Sequence, residues 1–509
     1  MSATGGVKRV KSGCITCRIR RVKCDEETPE CRRCLSTGRK CDGYSTLPFS
    51  RRDLQEASLS ASRQKSPNGS PESEGLIPRL VTDPAFSDLL EKRYFQFFRQ
   101  RTVASTNAIV SCRFWDRVVL QSSHSEPAIK HAVLALSSLH QLSSLPPDHE
   151  TSAQHRQYAE KQHNKALEAA RALIASSRPE DVDRVLIACI IFIIFENVRG
   201  EFQAASMHMD SGRAIVAQNL QRLQSSARRK DLLEIERALA RVDLPAICFS
   251  DSTSPYRYTI VDFHRTRPIL TPDFFQDINE AQDALIDLLR WLLVIGNHID
   301  IVEMDGDLLT LARYQAEKIR CGAIIDLWHT YFEDVVRKMD ASQSLTVLNM
   351  KLWYACAKIL VQVEGFGAET RYDAFMHRWK EMVQYGEQLA QALAAPAQST
   401  SFSFDFGYVI PVYLVGTRCR DPLLRRRAIQ ILRAYPRQEG VWESTAAAAV
   451  AAQWVAAEEA GLEVSCAADI PEHRRIRFIS TQVDVDNKSA SILLSARSPE
   501  TPQRVTAHW

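Results

Sequence analysis

The chain has 509 residues, is 45% hydrophobic and 25% charged, and carries a net charge of only +3, values that exclude a largely disordered polypeptide and imply at least two folded units. The charge is unevenly placed: residues 7–41 hold eleven Lys and Arg against four Asp and Glu, so +7 sits in 35 residues and the other 474 sum to −4. The N-terminal MSATGGVKRVKSGC has no apolar h-region, and the longest apolar run, Val185 to Phe195, is eleven residues and closes on Glu196. That run is too short to span a bilayer and reads as a buried helix, so no secretory signal and no membrane partner are expected. A short basic head on a mildly acidic body points to a polyanion-binding module with a separate partner domain.

Six of the thirteen cysteines lie in the first 41 residues: Cys14, Cys17, Cys24, Cys31, Cys34 and Cys41. The other seven (Cys112, Cys189, Cys248, Cys321, Cys356, Cys419, Cys466) are scattered singly and are expected to be small core residues. The clustered six read C-x2-C-x6-C-x6-C-x2-C-x6-C, two copies of one unit seventeen residues apart. Clustered thiols in a reducing compartment mean metal, and zinc takes four tetrahedral thiolates. Three thiolates per half are one too few, but six ligands complete two tetrahedra if two are shared, so a two-zinc cluster is the simplest closed solution. The head has few large apolar residues, and metal binding is then its folding energy. Between Cys17 and Cys24 lies RIRRVK, with four cations and no helix breaker. A short helix of this kind can enter the major groove and offer Arg or Lys to guanine O6 and N7. The second copy, LSTGRK, has cations only at its end and is the weaker reader.

CITCRIRRVKCDEETPECRRCLSTGRKC resembles the fungal Zn(2)-Cys(6) binuclear zinc-cluster transcription factors throughout, including Pro29 in the loop between the halves. The resemblance implies that Cys14 and Cys31 bridge two zinc ions, with Cys17 and Cys24 completing one tetrahedron and Cys34 and Cys41 the other. It implies base contacts from Arg20 and Arg21, phosphate contacts from Arg18 and Lys23, and CGG-like target triplets in double-stranded DNA. A scavenging thiol cluster and a redox C-x2-C motif fit poorly, because the one lacks an Arg-rich helix and the other needs a βαβ context. A zinc module that binds protein remains the serious rival.

Residues 45–82 are rich in Ser, Pro and charge and read as a disordered, flexible linker. Leu54 and Leu59 are five apart with no seam continuing from them, so no coiled coil is visible, and homodimerisation through the body and monomeric binding both stay open. From about residue 83 helical periodicity dominates. Pro127 suits a first turn with Ser125 as its cap, and Ile129, Ala132, Val133, Leu136 and Leu139 follow on one face. Further helical patterns lie near 86–100, 155–176, 181–196, 201–217, 279–300, 308–338, 342–364, 371–394 and 444–462. Asp421-Pro422 opens another helix with an inward stripe of Leu424, Ala428, Ile431 and Tyr435. On its opposite side stand Arg426 and Arg433, flanked by Arg425 and Arg427, with Arg437 beyond Pro436; this basic side is read as a solvated face with ion pairs. Residues 482–496 alternate weakly, as in a hairpin.

The expected fold class is therefore a small metal-stabilised cluster domain at 10–44, the linker at 45–82, a large irregular all-α domain at 83–465, and a C-terminal tail at 466–509 with a short hairpin. Phe114-Trp115, EPAIKHAVLALSSLH and CRDPLLRRRAIQILRAYPRQEGVWES resemble the fungal-specific transcription factor domain, which implies a regulator of a biosynthetic gene cluster. No Walker, zincin, nucleophile-elbow or Rossmann motif is present, and Asp405-Phe406-Gly407 lacks the other parts of a kinase signature; no enzyme is expected. The expectation is a nuclear, zinc-dependent, sequence-specific transcription factor for RNA polymerase II genes, holding two Zn2+. Its partners are double-stranded DNA and either a second copy of the chain or transcription machinery. The alternative is a zinc-cluster interaction adaptor whose basic segment serves nuclear import.

Overall fold

The computed structural model describes residues 14, 17, 22–27, 31–37 and 41 of the head, and 86–509 of the body except 87, 110–111, 146–148, 177, 179–180, 223–226, 250–274, 276, 340–343, 364–366, 395–400 and 497–501. The linker at 45–82 lies outside the described residues. The chain divides into two compact units, residues 1–82 with 149–154, and residues 83–148 with 155–509. No described helix is long and apolar enough to cross a membrane.

The second unit is mostly helical, and its helices begin and end on chemistry present in the sequence. Helix α1 (Leu89–Phe97) is capped by Asp88, whose carboxylate accepts from Glu91 N, and continues through a π turn (Phe98–Thr102). Helix α2 (Leu120–Ser125) leads into α3 (Pro127–Ser143), which has proline in its first turn. The cap of α3 is Glu126, not Ser125: Ala128 N donates to the Glu126 carboxylate at 3.4 Å, while Ser125 Oγ donates to the Ser122 carbonyl. Helix α4 (Ser152–Ser176) precedes α5 (Val182–Arg199), which buries every residue from Leu186 to Asn197. It is apolar all round because α3, α6 (Phe202–Arg222) and α7 (Ala227–Cys248) surround it. Together these helices form a first core.

Helices α8 (Ile278–Asp305) and α9 (Leu308–Met339) fold back on each other across Gly306, which has φ +75°. They build a core around Trp328 and Trp353 with α10 (Leu345–Gln362). Helices α10, α11 (Met376–Ala392), α12 (Val409–Arg418), α13 (Pro422–Ala434) and α14 (Ser444–Glu459) enclose another. Asp421 caps α13 as expected, accepting from Leu423 N and Leu424 N, and Ala428 and Ile431 are buried.

Strands are few. β1 (Ser401–Ser403) runs parallel to β2 (Arg437–Glu439), which pairs antiparallel with β3 (Trp442–Glu443). β4 (Phe478–Asp484) and β5 (Ser489–Ser495) pair antiparallel where the alternation suggests a hairpin, and β6 (Gln503–His508) adds a third strand. The sheet packs Ile492 and Leu494, together with Ile476 just before β4, against Trp454 of α14.

One segment reaches the three helical cores in turn. Phe402 and Phe404 enter the first, Phe406 and Ile410 the α8–α9 core, and Tyr408, Val409, Val412 and Val415 the α10–α14 core. Its backbone is fixed by the buried carboxylate of Glu439, which accepts from Gly407 N (3.0 Å), Tyr408 N (3.2 Å) and Val409 N (3.1 Å) and from Arg437 Nε (2.7 Å). A Cβ at Gly407 would collide with that carboxylate. Asp405 pairs with Arg241 of α7 at 3.0 Å, so Asp405-Phe406-Gly407 is a packing joint.

The arginines around α13 need redrawing. Arg425 is fully buried against Glu458, and Arg437 is a buried member of β2 paired with Glu439. Arg426 pairs with Glu459 and Arg427 with Glu387, as an ion-paired face requires. Four of the scattered cysteines are buried and Cys112 and Cys248 half-buried, but Cys466 is exposed, at the start of a short 3-10 turn.

Glu439→Ala should lower the unfolding free energy of the body by about 3–5 kcal/mol, since it strands a buried guanidinium and three amides. Arg337→Ala, which breaks an exposed pair with Asp334, should cost about 1 kcal/mol or less. Urea unfolding followed by circular dichroism separates the two, and equal midpoints would show that Glu439 does not organise the body.

Candidate metal centre and nucleic-acid interface

The described part of the head is organised by sulfur. Cys14, Cys17, Cys31 and Cys34 are fully buried, Cys41 nearly so, Cys24 is half-buried, and Val22 packs against them. The Sγ atoms form two groups of four: Cys14, Cys17, Cys24 and Cys31, and then Cys14, Cys31, Cys34 and Cys41, all within 4.8 Å of one another in each group. Cys14 and Cys31 belong to both groups. Sγ–Sγ separations are 3.5 Å for Cys14–Cys31, 3.6 Å for Cys17–Cys31 and 3.8 Å for Cys14–Cys34. Four thiolates at a Zn–S distance of about 2.3 Å around a tetrahedral ion stand about 3.8 Å apart. The donor set therefore fits zinc in number, kind and spacing.

The backbone repeats with the sulfurs. Cys14 N donates to Cys24 Sγ at 3.3 Å, and seventeen residues later Cys31 N donates to Cys41 Sγ at 3.3 Å. Cys17 N donates to Cys14 Sγ at 3.4 Å, and Cys34 N to Cys31 Sγ at 3.4 Å. The duplicated spacing in the sequence is thus a duplicated geometry, with amide dipoles aimed at the sulfurs. Burial pushes the Cys31 thiol up to about 12 and Cys14 higher still, so thiols packed this closely hold their protons unless a cation offsets the charge.

The two halves are also tied by an acid that the sequence reading passed over. Asp25 accepts from Arg32 N at 3.1 Å and Arg33 N at 2.7 Å, the first amides of the short helix Arg32–Leu35. The signal was available: a carboxylate directly after Cys24 can serve the exposed amides of a following C-x2-C helix. Glu26 takes φ +64° where the chain turns after Cys24. Of the basic residues, Lys23 is exposed, Arg33 is exposed, and Arg32 pairs with Glu27 at 2.7 Å. Arg18, Arg20 and Arg21 lie outside the described residues.

Comparison with known proteins gives the head and the body separate matches. Residues 12–49 match the fungal Zn(2)-Cys(6) binuclear cluster domain, and residues 93–261, which include most of the first core, match the fungal specific transcription factor domain. The chain is 25% identical over 574 aligned positions to the aspercryptin biosynthesis cluster-specific transcription regulator atnN of Emericella nidulans, covering 92% of this chain and 91% of that one. It is 32% identical over 206 residues to the transcription regulator lscL of Purpureocillium lilacinum, covering 39% and 47%. It is 57% identical over 37 residues to the transcriptional regulatory protein moc3 of Schizosaccharomyces pombe, 7% of each. No solved structure matches the chain. The head thus matches the fungal Zn(2)-Cys(6) binuclear cluster domain and the body the fungal specific transcription factor domain, and the relatives to which the chain is similar are fungal transcription regulators.

Proposed function

We propose that the chain is a nuclear, sequence-specific regulator of RNA polymerase II genes whose head, at residues 10–44, reads CGG-like triplets in the major groove of double-stranded DNA. The observation that carries this is the pair of four-sulfur groups sharing Cys14 and Cys31. Two Zn2+ would be held there, bridged by Cys14 and Cys31 and completed by Cys17 with Cys24 and by Cys34 with Cys41. The metal supplies the folding energy that the head's few apolar residues do not, and so presents its cations in a fixed arrangement. Arg20 and Arg21 take the base-reading role, with bidentate reach to guanine, and Arg18 and Lys23 the phosphate role. Lys23 is exposed, as a phosphate contact requires. The linker at 45–82 joins this head to a regulatory body at 83–465 and the tail beyond. Control of a biosynthetic gene cluster is supported by similarity, over most of the chain, to atnN, a biosynthesis cluster-specific transcription regulator.

Selection of zinc-loaded full-length protein against a randomised duplex library tests the reading. A G-rich triplet enriched with zinc and lost with chelator supports it. Retained zinc with no enriched sequence would sink it in favour of a protein-interaction adaptor.

Two mutational outcomes follow from the assigned roles. Cys14→Ser should release nearly all bound zinc and unfold the head, whereas Cys24→Ser, at a half-buried ligand of one group, should leave about one ion per chain; metal analysis that gives the same stoichiometry for both would remove the bridging role. Arg20→Ala or Arg21→Ala should reduce discrimination at one guanine by about 1–3 kcal/mol, while Arg18→Ala weakens binding to all sequences and lowers the salt slope by about 1. Identical salt slopes and base preferences in the two classes would overturn the division of labour.

A further inference from the structure

The body contains a cavity of about 140 Å³ where the α5–α6 turn, α14 and the C-terminal sheet come together. Its wall is built from rings. Phe202, Phe249, Trp442 and Tyr413 form a connected row with successive centroids 5.2, 5.6 and 5.2 Å apart. Val483 of β4 and Trp509 at the chain end close it from the sheet side.

The polar chemistry of the wall narrows what it can hold. Both indole N–H groups are engaged: Trp442 Nε1 donates to the Pro245 carbonyl and Trp509 Nε1 to the Glu443 carboxylate, each at 3.0 Å. The two indoles are therefore held in place and offer apolar surface rather than donors. Among the described residues of the wall Glu443 contributes the one carboxylate, and it also accepts from Thr445 Oγ1 at 2.8 Å. No Lys, Arg or His stands among the described residues of the wall, so an anion finds no counter-charge there. A cation finds a carboxylate that already serves two donors. Gln438 lines the cavity with its Nε2 donating to the Gly440 carbonyl, and its amide oxygen is an acceptor for a ligand hydroxyl. As to size, an apolar cavity of about 150 Å³ takes up one benzene molecule.

We propose that this cavity binds a small uncharged aromatic molecule of the phenol class, one ring carrying a hydroxyl. The ring stacks among Phe249, Trp442 and Tyr413, and the hydroxyl is directed to Gln438. Elements of separate cores contribute wall residues, so occupancy acts on how the sheet and the helices hold together. The site belongs to the body and does not depend on what the head reads.

The test is a 19F NMR titration of the zinc-loaded full-length chain with 4-fluorophenol, uncharged at neutral pH, beside 4-fluorobenzoate and 4-fluorobenzylammonium. Saturable binding of the phenol is expected, with the two ions weaker by about tenfold or more. Val483→Phe and Ala446→Leu fill the cavity from the sheet and from α14, and each should weaken phenol binding by about tenfold or more with helical circular dichroism preserved. If one variant fails to fold, the other carries the comparison. Absence of saturable phenol binding, binding retained in a folded filled variant, or an ion bound as tightly as the phenol would each overturn the proposal. Tighter binding of the ammonium in particular would make the ring row a cation cage.

Discussion

The carboxylate of Glu439 is the interaction on which the body depends. It is buried, yet it accepts three consecutive backbone amides at the start of α12 and a guanidinium from its own strand. This fixes a segment that sends side chains into all three helical cores. A helix N-terminus is the natural place for a negative charge, because its first amides have no partners within the helix. Glu439 thereby meets two needs together, capping α12 and neutralising Arg437. Because β2 pairs with β1 on one side and β3 on the other, fixing Glu439 also sets the register of a sheet too small to stand alone.

The same device recurs through the C-terminal half. Glu458 is fully buried and receives Arg420 at 2.8 Å, Arg425 at 2.9 Å, Trp454 Nε1 at 3.0 Å and Ile476 N at 2.8 Å. Arg475 forks onto Asp373 with both contacts at 2.8 Å. Such pairs gain little net stability, because desolvation cancels most of the attraction. What they supply is position: a carboxylate with four donors has one satisfied arrangement, and it links the α12–α13 turn and α13 to α14, and these to the chain entering β4. The head solves the opposite problem. Among its described residues the apolar cluster is the cysteines with Val22, and sulfurs packed this closely call for a cation to offset their charge.

Sequence reading succeeded where spacing is chemistry. The repeated C-x2-C-x6-C unit pointed to a two-zinc cluster with two shared thiolates, while the assignment of the shared pair came from the resemblance to the family, and the helices of the body followed from apolar period and caps. It failed where a residue's role is decided at long range. Arg425 sits on an apparently basic face and is buried because Glu458, 33 residues on, lies under it. Ser125 looked like a cap, but its neighbour Glu126 holds the amide. The alternation SFSFDFGY at 401–408 was a strand signal in plain sight, obscured because only three of its residues pair. The third strand of the C-terminal sheet went unread for a similar reason, since β6 is half polar and gains its register only from β5.

The position of the cavity follows from this same construction. Cores assembled from different elements meet beside the α5–α6 turn, where Gly200 has φ +79° and a Cβ would lie 2.6 Å from Val485 Cγ2. The chain is in full contact at that point, so the wall beside it cannot close further by moving the sheet inward. The cavity of about 140 Å³ left there is lined largely by half-buried side chains and stays partly open to solvent. A ring that fills it restores dispersion contacts to the folded body alone, so binding and stability are linked and rise together. The sheet contributes Val483 and Trp509 to the wall, while Phe202 and Phe249 belong to the fringe of the first core. The linkage therefore falls on the docking of the C-terminal sheet, the element whose attachment a bound ring strengthens most directly.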